Sequence, residues 1–420
     1  MFYFNNKAFK LNVLRGLDKY AGPPLCWLLL AIRKAFGFKV GSKNVYPENE
    51  PKNILVIKYY GMGSILLASP SMQAFKAKFP KSKIAILTLT ENRQICEITS
   101  WVDEILLLDL KNVGRFLINY IELILKIRRM NFDIIVDLEF LTNFSAMTTL
   151  LIGFLNKTTL VGFNSPLRWR NAVYSFNISF DHSRHISKVF SKVFSSFCGN
   201  DFDISLDFEE ERRNFSNLPR PAILKELLPL QLEESGLSIK NICVNINAGE
   251  LCLNRRWPRE YFVQLIRELL VAYNIRVFLL GSENDKEYVN GLVQEFPDDQ
   301  RVVDTSGKLS IKELVGLYSE CTLLISNDSG PLHLAFMAGL PTISFFGPET
   351  PALYGPLGEN HHVLYLDLYC SPCLNIFNSK LSRCQNNICL KDISPNSVLK
   401  LIEKEKLLIQ AKILSKVEVC

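Results

Sequence analysis

The sequence predicts an α/β fold made of two Rossmann-like domains facing across a cleft, and three observations carry that expectation. Short, uninterrupted apolar runs recur along the chain, each followed by a stretch with helical spacing. Runs this uniformly apolar suit strands of a parallel sheet covered on both faces. The rhythm occurs twice, with a charged, proline-bearing interruption between the two series. At 420 residues the chain is also too long for one compact core and suits two domains of ordinary size.

The first series opens at Asn53. "NILVIK" reads as a buried strand ended by "YYGMGS", and "ILLASPSMQAFKAKF" then has helical spacing. "KIAILTL", "EILLLDL" and "FDIIVDL" follow as further strands. Between about Asp201 and Lys240 the pattern weakens, and "EEERRNFSNLPRP" marks the interdomain region. The second series restarts at "NICVNINAG" and continues through "IRVFLLGS", "CTLLISND" and "PTISFFGP". The closing "SPNSVLKLIEKEKLLIQAKIL" reads as one long helix. The expected division is a basic and apolar extension (1–50), a first Rossmann-like domain (51–215), a linker (216–240), a second Rossmann-like domain (241–395) and a C-terminal helix (396–420).

Hydrophobic content of 48% with 21% charged residues is rich for a soluble protein without being that of a membrane bundle. A net charge of +6 suits a protein drawn to anions, whether phosphorylated ligands or an acidic membrane surface. No dense Arg/Lys stripe or nucleic-acid signature occurs, so nucleic acid is excluded as a partner. The apolar stretch "PPLCWLLLAI" is about half a membrane span and lies far from Met1, unlike a secretory signal. Lys7, Lys10, Arg15, Lys19, Arg33, Lys34 and Lys39 surround it. That permits an interfacial helix on an anionic leaflet, against the alternative of a helix packed on the protein's own surface. Eleven cysteines without an export signal point to reduced thiols and a cytoplasmic setting.

The stretch "SNDSGPLHLAFMAGLPTISFFGP" concentrates the candidate chemistry. A strand ends at Asn327, Asp328 is placed as an N-cap, and Ser329, Gly330 and Pro331 open a helix that Gly339 ends. Capping alone accounts for Asp328, Pro331 and Gly339, but not for Gly330 or His333. A bare glycine lets a ligand reach the free N–H groups of the first turn, where the dipole favours phosphate. His333, one turn in, can donate to the same ligand. A site and a capped core helix both remain open on this stretch alone.

The longer segment "SNDSGPLHLAFMAGLPTISFFGPETP" closely resembles the C-terminal nucleotide-sugar motif of glycosyltransferase family 9, the lipopolysaccharide heptosyltransferases. Four further segments agree in order: "NILVIKYYGMGSILLASPSMQAFKAKFP", "DIIVDLE", "NINAG" with "RRWPREYFVQLIREL", and "YCSPCLNIFNSKLSRCQNNICLKDISPNSV". The resemblance covers about Asn53 to Ile402. It implies the GT-B fold, a nucleotide-sugar donor held by the second domain, and a lipopolysaccharide or lipid-linked acceptor held by the first. It also implies an inverting transfer at the cytoplasmic side, with peripheral contact to the inner membrane and no cofactor.

Such a transfer needs a base for the acceptor hydroxyl, a held anomeric carbon, and cations or dipoles for the departing diphosphate. The helix opening at Ser329 and Gly330 can supply the dipole. Arg255 and Arg256 stand where the family has a cation toward the donor phosphates, and arginine's planar fork suits two phosphate oxygens. The other reading of that pair is a solvated helix cap. Ala248 and Gly249 would let the donor approach the backbone, and Glu283 or Asp285 falls where the family holds a nucleoside hydroxyl. Gly61 and Gly63 allow a tight turn with room for acceptor atoms. A dinucleotide fingerprint is the competing reading of that loop, but Ile65 and Leu66 stand where its third small residue should fall.

At the position of the family's catalytic Asp this chain has Ser64, which is hardly ionised at neutral pH. Asp137 and Glu139, at a strand's carboxyl end, are the nearest carboxylates by topology and the candidate replacements. Cys370, Cys373, Cys384 and Cys389 have a spacing that permits a structural zinc, although free thiols are the default. Two competitors are a non-catalytic GT-B protein that binds nucleotide-sugar or glycan, which Ser64 favours, and a nucleotide-sugar epimerase. Neither the sugar, the nucleotide, the acceptor nor the linkage can be read from any residue.

Overall fold

The structure, a computed structural model, describes residues 18, 20, 22–37, 50–110, 113–140, 142–154, 156–198, 204, 207–218, 239–249, 252–375 and 382–408. Most of the expected linker, the far C-terminus and parts of the N-terminal extension lie outside these residues. The chain divides into two units after Phe208.

The first unit is built on a six-stranded parallel sheet. Its strands are β1 (Asn53–Ile57), β2 (Lys83–Leu89), β3 (Glu104–Leu108), β4 (Ile134–Asp137), β5 (Thr159–Phe163) and β6 (Phe176–Ile178), in the order β3-β2-β1-β4-β5-β6. The second unit repeats this. β7 (Lys240–Asn245), β8 (Ile275–Leu279), β9 (Val302–Asp304), β10 (Cys321–Asn327), β11 (Thr342–Phe346) and β12 (His361–Tyr365) lie in the order β12-β11-β10-β7-β8-β9. Each sheet reverses direction beside its first strand, at β1/β4 and β7/β10, and in open parallel sheets ligands bind at such points beyond the strand carboxyl ends. The apolar runs behave as expected. Every residue of β8 and β11 is buried, and β1 and β2 lack only their first residue.

Two expectations change. Among the described residues of the closing segment the helix spans Pro395–Lys404, and Lys406, with a φ of 54°, interrupts it. "EEERRNFS", expected as part of the interdomain region, forms the Glu209–Ser216 helix of the second unit. There Phe215 is buried and the Arg212 guanidinium lies 5.8 Å from the Phe336 ring centroid. Its charge density masked an amphipathic helix with one buried edge.

Trp257 sits at the centre of the second unit's core with no exposure. Its ring stacks on Phe345 at 4.3 Å, Phe262 meets it edge-on at 4.8 Å, and its indole N–H donates to the Ile393 carbonyl at 2.8 Å. Trp257→Ala should cost about 3–5 kcal/mol, measured by denaturant unfolding.

His361 opens β12, with Nδ1 3.1 Å from the Thr342 hydroxyl and Phe336 edge-on at 5.1 Å. Burial, then Arg212 and His362, push its pKa down from 6.5 to about 4. Between those values the unfolded chain binds the proton that the folded chain refuses, so stability falls as pH falls through this window. The loss should reach about 3 kcal/mol near pH 4. His361→Gln should flatten this part of the stability–pH curve; an unchanged slope would contradict the assignment.

Candidate functional site

At the second unit's reversal point three asparagines join the strand ends. Asn245, ending β7, donates through Nδ2 to the Asn247 carbonyl (3.1 Å) and the hydroxyls of Ser326 (3.0 Å) and Ser329 (2.8 Å). Asn327, ending β10, donates to the Ile246 carbonyl at 2.9 Å and accepts the Trp257 N–H at 2.8 Å. Asn247 donates to the Leu280 carbonyl at 2.8 Å, beyond β8. Sequence reasoning passed over all three. The signal was present in "NINAG", where alternate Asn residues follow the apolar run Ile242–Val244.

This network fixes the mouth of the Gly330–Met337 helix. Its N-cap is Ser329, with extended backbone at φ −162°, and not Asp328 as expected. The Ser329 hydroxyl is turned inward, accepting from Asn245 and donating to the Asn327 carbonyl at 3.1 Å, and it makes no cap bond. The opening turn therefore has no side-chain cap, and the first N–H groups of a helix have no partner within it. Gly330 and Pro331 are only half-buried, so side chains do not seal the turn. His333 is 5% exposed and lies inside the helix packing rather than standing open at the mouth. Gly339 has the left-handed φ of 75° expected after the helix.

Asp328 is released from capping to hold Arg255. Its Oδ2 lies 3.2 Å from Nη1, while Nη2 donates to the Ala248 carbonyl at 2.7 Å. Burial opposes the Arg255 charge, but Asp328, and less strongly Glu349, hold its pKa above the ordinary value. Glu349, 3% exposed just after β11, is another residue the sequence reading missed. Arg256 lies 4.0 Å from the Tyr288 ring centroid and 3.7 Å from Asp285. Neither arginine is a solvated cap. Each has a partly buried, held guanidinium, and Nε of each is buried without a hydrogen-bond partner among the described residues.

Ala248 is fully buried and contributes through its carbonyl. Gly249 adopts φ +69°, and a Cβ there would meet nothing within 4 Å, so the backbone and not crowding requires glycine. Asp285 is committed to a capping box, accepting the Ser282 hydroxyl (2.6 Å) and N–H (3.0 Å). Glu283 is the exposed carboxylate of the pair, 2.7 Å from Lys286.

In the first unit Gly61 stands before the Met62–Leu67 helix at φ +89°, and a Cβ there would come within 3.1 Å of the Ser64 hydroxyl. Gly63 lies inside that helix, not in the turn as expected. Ser64 is 9% exposed, in the helix's first turn.

The two carboxylates offered as base are already occupied. Asp137 has no exposure and accepts from the Tyr174 hydroxyl (2.6 Å), the Ser145 hydroxyl (2.7 Å) and the Glu139 N–H (3.0 Å), with Arg170 at 3.8 Å. Burial raises its pKa, and Arg170 and the hydroxyl donors offset only part of that. Glu139, 3% exposed, accepts through one oxygen from Lys58 Nζ (3.0 Å), the Tyr59 N–H (2.6 Å) and the Tyr60 N–H (2.9 Å). It anchors the entry to the glycine loop. An acceptor hydroxyl cannot reach a carboxylate sealed behind Tyr174 and Ser145, so Asp137 does not suit the role in this geometry. Glu139 fits a loop anchor better than a base.

Cys370, Cys373, Cys384 and Cys389 border one cavity of about 370 Å³ beside Gly347 and Pro348. Among the described residues no three His, Cys, Asp or Glu side chains are grouped closely enough to hold a metal ion, which counts against the zinc reading. All ten described cysteines are free. The chain's single Asp-x-Asp triplet, Asp201-Phe202-Asp203, lies outside the described residues.

The family model of glycosyltransferase family 9 (heptosyltransferase) matches residues 120–382. Lipooligosaccharide heptosyltransferase 2 of Campylobacter jejuni is 28% identical over 195 residues, which are 46% of this chain and 59% of that protein. The chain thus aligns with a little over half of that relative's length. Lipopolysaccharide heptosyltransferase 1 of Campylobacter coli is 23% identical over 360 residues, 84% of this chain and 98% of that protein. The solved E. coli ADP-heptose LPS heptosyltransferase II superposes with a TM-score of 0.62 at 19% identity, covering 85% of this chain and 99% of that one. Such a likeness speaks for the fold alone, which is α/β of the GT-B class. From the match over more than half its length, the chain belongs to glycosyltransferase family 9, the heptosyltransferase family.

Proposed function

We propose that the chain is an inverting, metal-independent glycosyltransferase that moves a heptose from ADP-heptose onto a lipopolysaccharide or related surface-glycan acceptor at the inner membrane's cytoplasmic face. The observation that carries the reading is the uncapped, unsealed turn at Ser329 and Gly330. The names of the relatives supply the sugar and the acceptor class. The acceptor oxygen would attack the anomeric carbon as the diphosphate leaves toward this turn, whose N–H groups and dipole would take up its charge. Arg255, held by Asp328 and Ala248, would add a preorganised cation, and Arg256 a second. Glu283 would accept a nucleoside hydroxyl. Gly61 and Ser64 would border the acceptor.

Ser64 and the sealed Asp137 also favour a second reading, a protein that binds the nucleotide-sugar without turning it over. Calorimetry with ADP-heptose, beside a product assay with a lipopolysaccharide-core acceptor, separates the two. Binding with turnover that persists in EDTA supports the proposal; binding without product supports the second reading. Arg255→Ala should weaken donor binding by about 2 kcal/mol, roughly thirtyfold. Undiminished affinity in that variant would remove Arg255 from the donor site.

Asp137→Asn and Glu139→Gln should act on stability, not selectively on the chemical step. Each leaves a buried cation with a weakened partner and should cost about 3 kcal/mol or more in unfolding experiments. A variant that folds with the parent's stability yet loses most of kcat would restore that carboxylate as the base.

A further inference from the structure

Two helices of the first unit grip a third between them. Asp18 accepts the N–H groups of Asn143 (3.1 Å) and Phe144 (2.5 Å), at the start of the Asn143–Ile152 helix. At that helix's other end Arg33, from the Gly22–Ala35 helix, donates to the Gly153 carbonyl at 3.2 Å. Arg128, from the Val113–Arg129 helix, donates to the Leu151 carbonyl at 2.6 Å. An acid at the N-terminus and two cations at the C-terminus complement the central helix's dipole. With Cys26, Leu30, Tyr120 and Ile124 buried beneath them, the two flanking helices have fixed orientations.

The faces they turn outward are apolar. On the first, Leu25, Trp27 and Leu28 are 43%, 66% and 53% exposed. On the second, Leu117, Ile118, Ile121 and Leu125 form one stripe, 49% to 64% exposed. The second helix also buries apolar residues on its inner side, so its apolar arc is wide and runs from the packed side to the exposed stripe, while Arg115, Asn119, Glu122, Lys126 and Arg129 share its remaining side. Lys34, Arg115, Lys126 and Arg129 are exposed on the same two helices, and Glu122 is their single acid. No helix among the described residues is long and apolar enough to cross a membrane.

We propose that these two faces form one docking surface for an anionic bilayer, with both helices lying in the interface. Trp27, Leu28 and the second helix's stripe would enter the boundary between headgroups and acyl chains, and the four cations would meet lipid phosphates. Charge decides against a second copy as occupant. A symmetric dimer would set the same basic groups against each other with one acid per chain to balance them. This deepens the membrane placement proposed above, and vesicle binding reads it without any transfer reaction.

The test is co-sedimentation of the full chain with phosphatidylethanolamine–phosphatidylglycerol vesicles and with phosphatidylcholine vesicles, with light scattering of the free protein. Binding should require the anionic lipid and weaken with salt. Lys126→Glu with Arg129→Glu should reduce partitioning about tenfold or more. Trp27→Ser with Ile121→Ser should reduce it comparably while leaving the melting temperature unchanged. Equal affinity for neutral vesicles, or undiminished binding by folded variants of both pairs, would overturn the proposal. So would a dimer that the serine variants dissociate, which would assign the face to self-association.

Discussion

Everything chemical in this molecule follows from the burial of two parallel sheets on both faces. A strand such as Ile275–Leu279, with no exposed residue, can offer nothing to a ligand along its length. Its neighbours saturate the backbone, and its side chains, Arg276 apart, are committed to the core. Chemistry is therefore displaced to the carboxyl ends. Tyr59 and Gly61 follow β1, Asp137 ends β4, Ala248 follows β7, Glu283 follows β8, Asp328 follows β10 and Glu349 follows β11.

Crowding those ends with polar groups creates its own problem, because buried amides and carboxylates are costly unless partnered. The second unit solves it with Asn245, Asn247 and Asn327, whose amides bind one strand end to the next. One consequence is that Ser329 is drawn inward and cannot cap its own helix. The bonds that stabilise the sheet end thus leave the helix mouth open. Asp328, displaced from the cap, balances the charge of Arg255 beside it.

Eight of the twelve strands among the described residues were legible because a continuous apolar run between turn residues has few other readings; β5, β6, β9 and β12, shorter or less uniformly apolar, were passed over. The start of the Gly330–Met337 helix was legible from Gly330 and Pro331, although its cap was not. What could not be read was which polar group answers which. Asp137 looked like an exposed carboxylate because Arg170 and Tyr174, which occupy it, lie more than thirty residues later with no local signal. Asp328 and Ser329 were equally good caps by residue type, and only Asn245 decides between them. The Val113–Arg129 helix concealed its outer face for the opposite reason. Its wide apolar arc covers both a packed and an exposed side, and only its packing separates Tyr120 from Leu117.

Glu139 shows how a carboxylate at a strand end becomes part of the loop beside it. Lys58 balances it, and its remaining bonds run to the two N–H groups that precede Gly61. A carboxylate holding backbone donors and an ammonium in one oxygen is a rigid part of the loop, since swinging it outward would leave Lys58 buried without its carboxylate. The loop that carries Ser64 is therefore positioned by a neutral pair beneath it, and Ser64 adds no charge of its own. An acceptor bound there would meet a preorganised hydroxyl and backbone, not an ionised base.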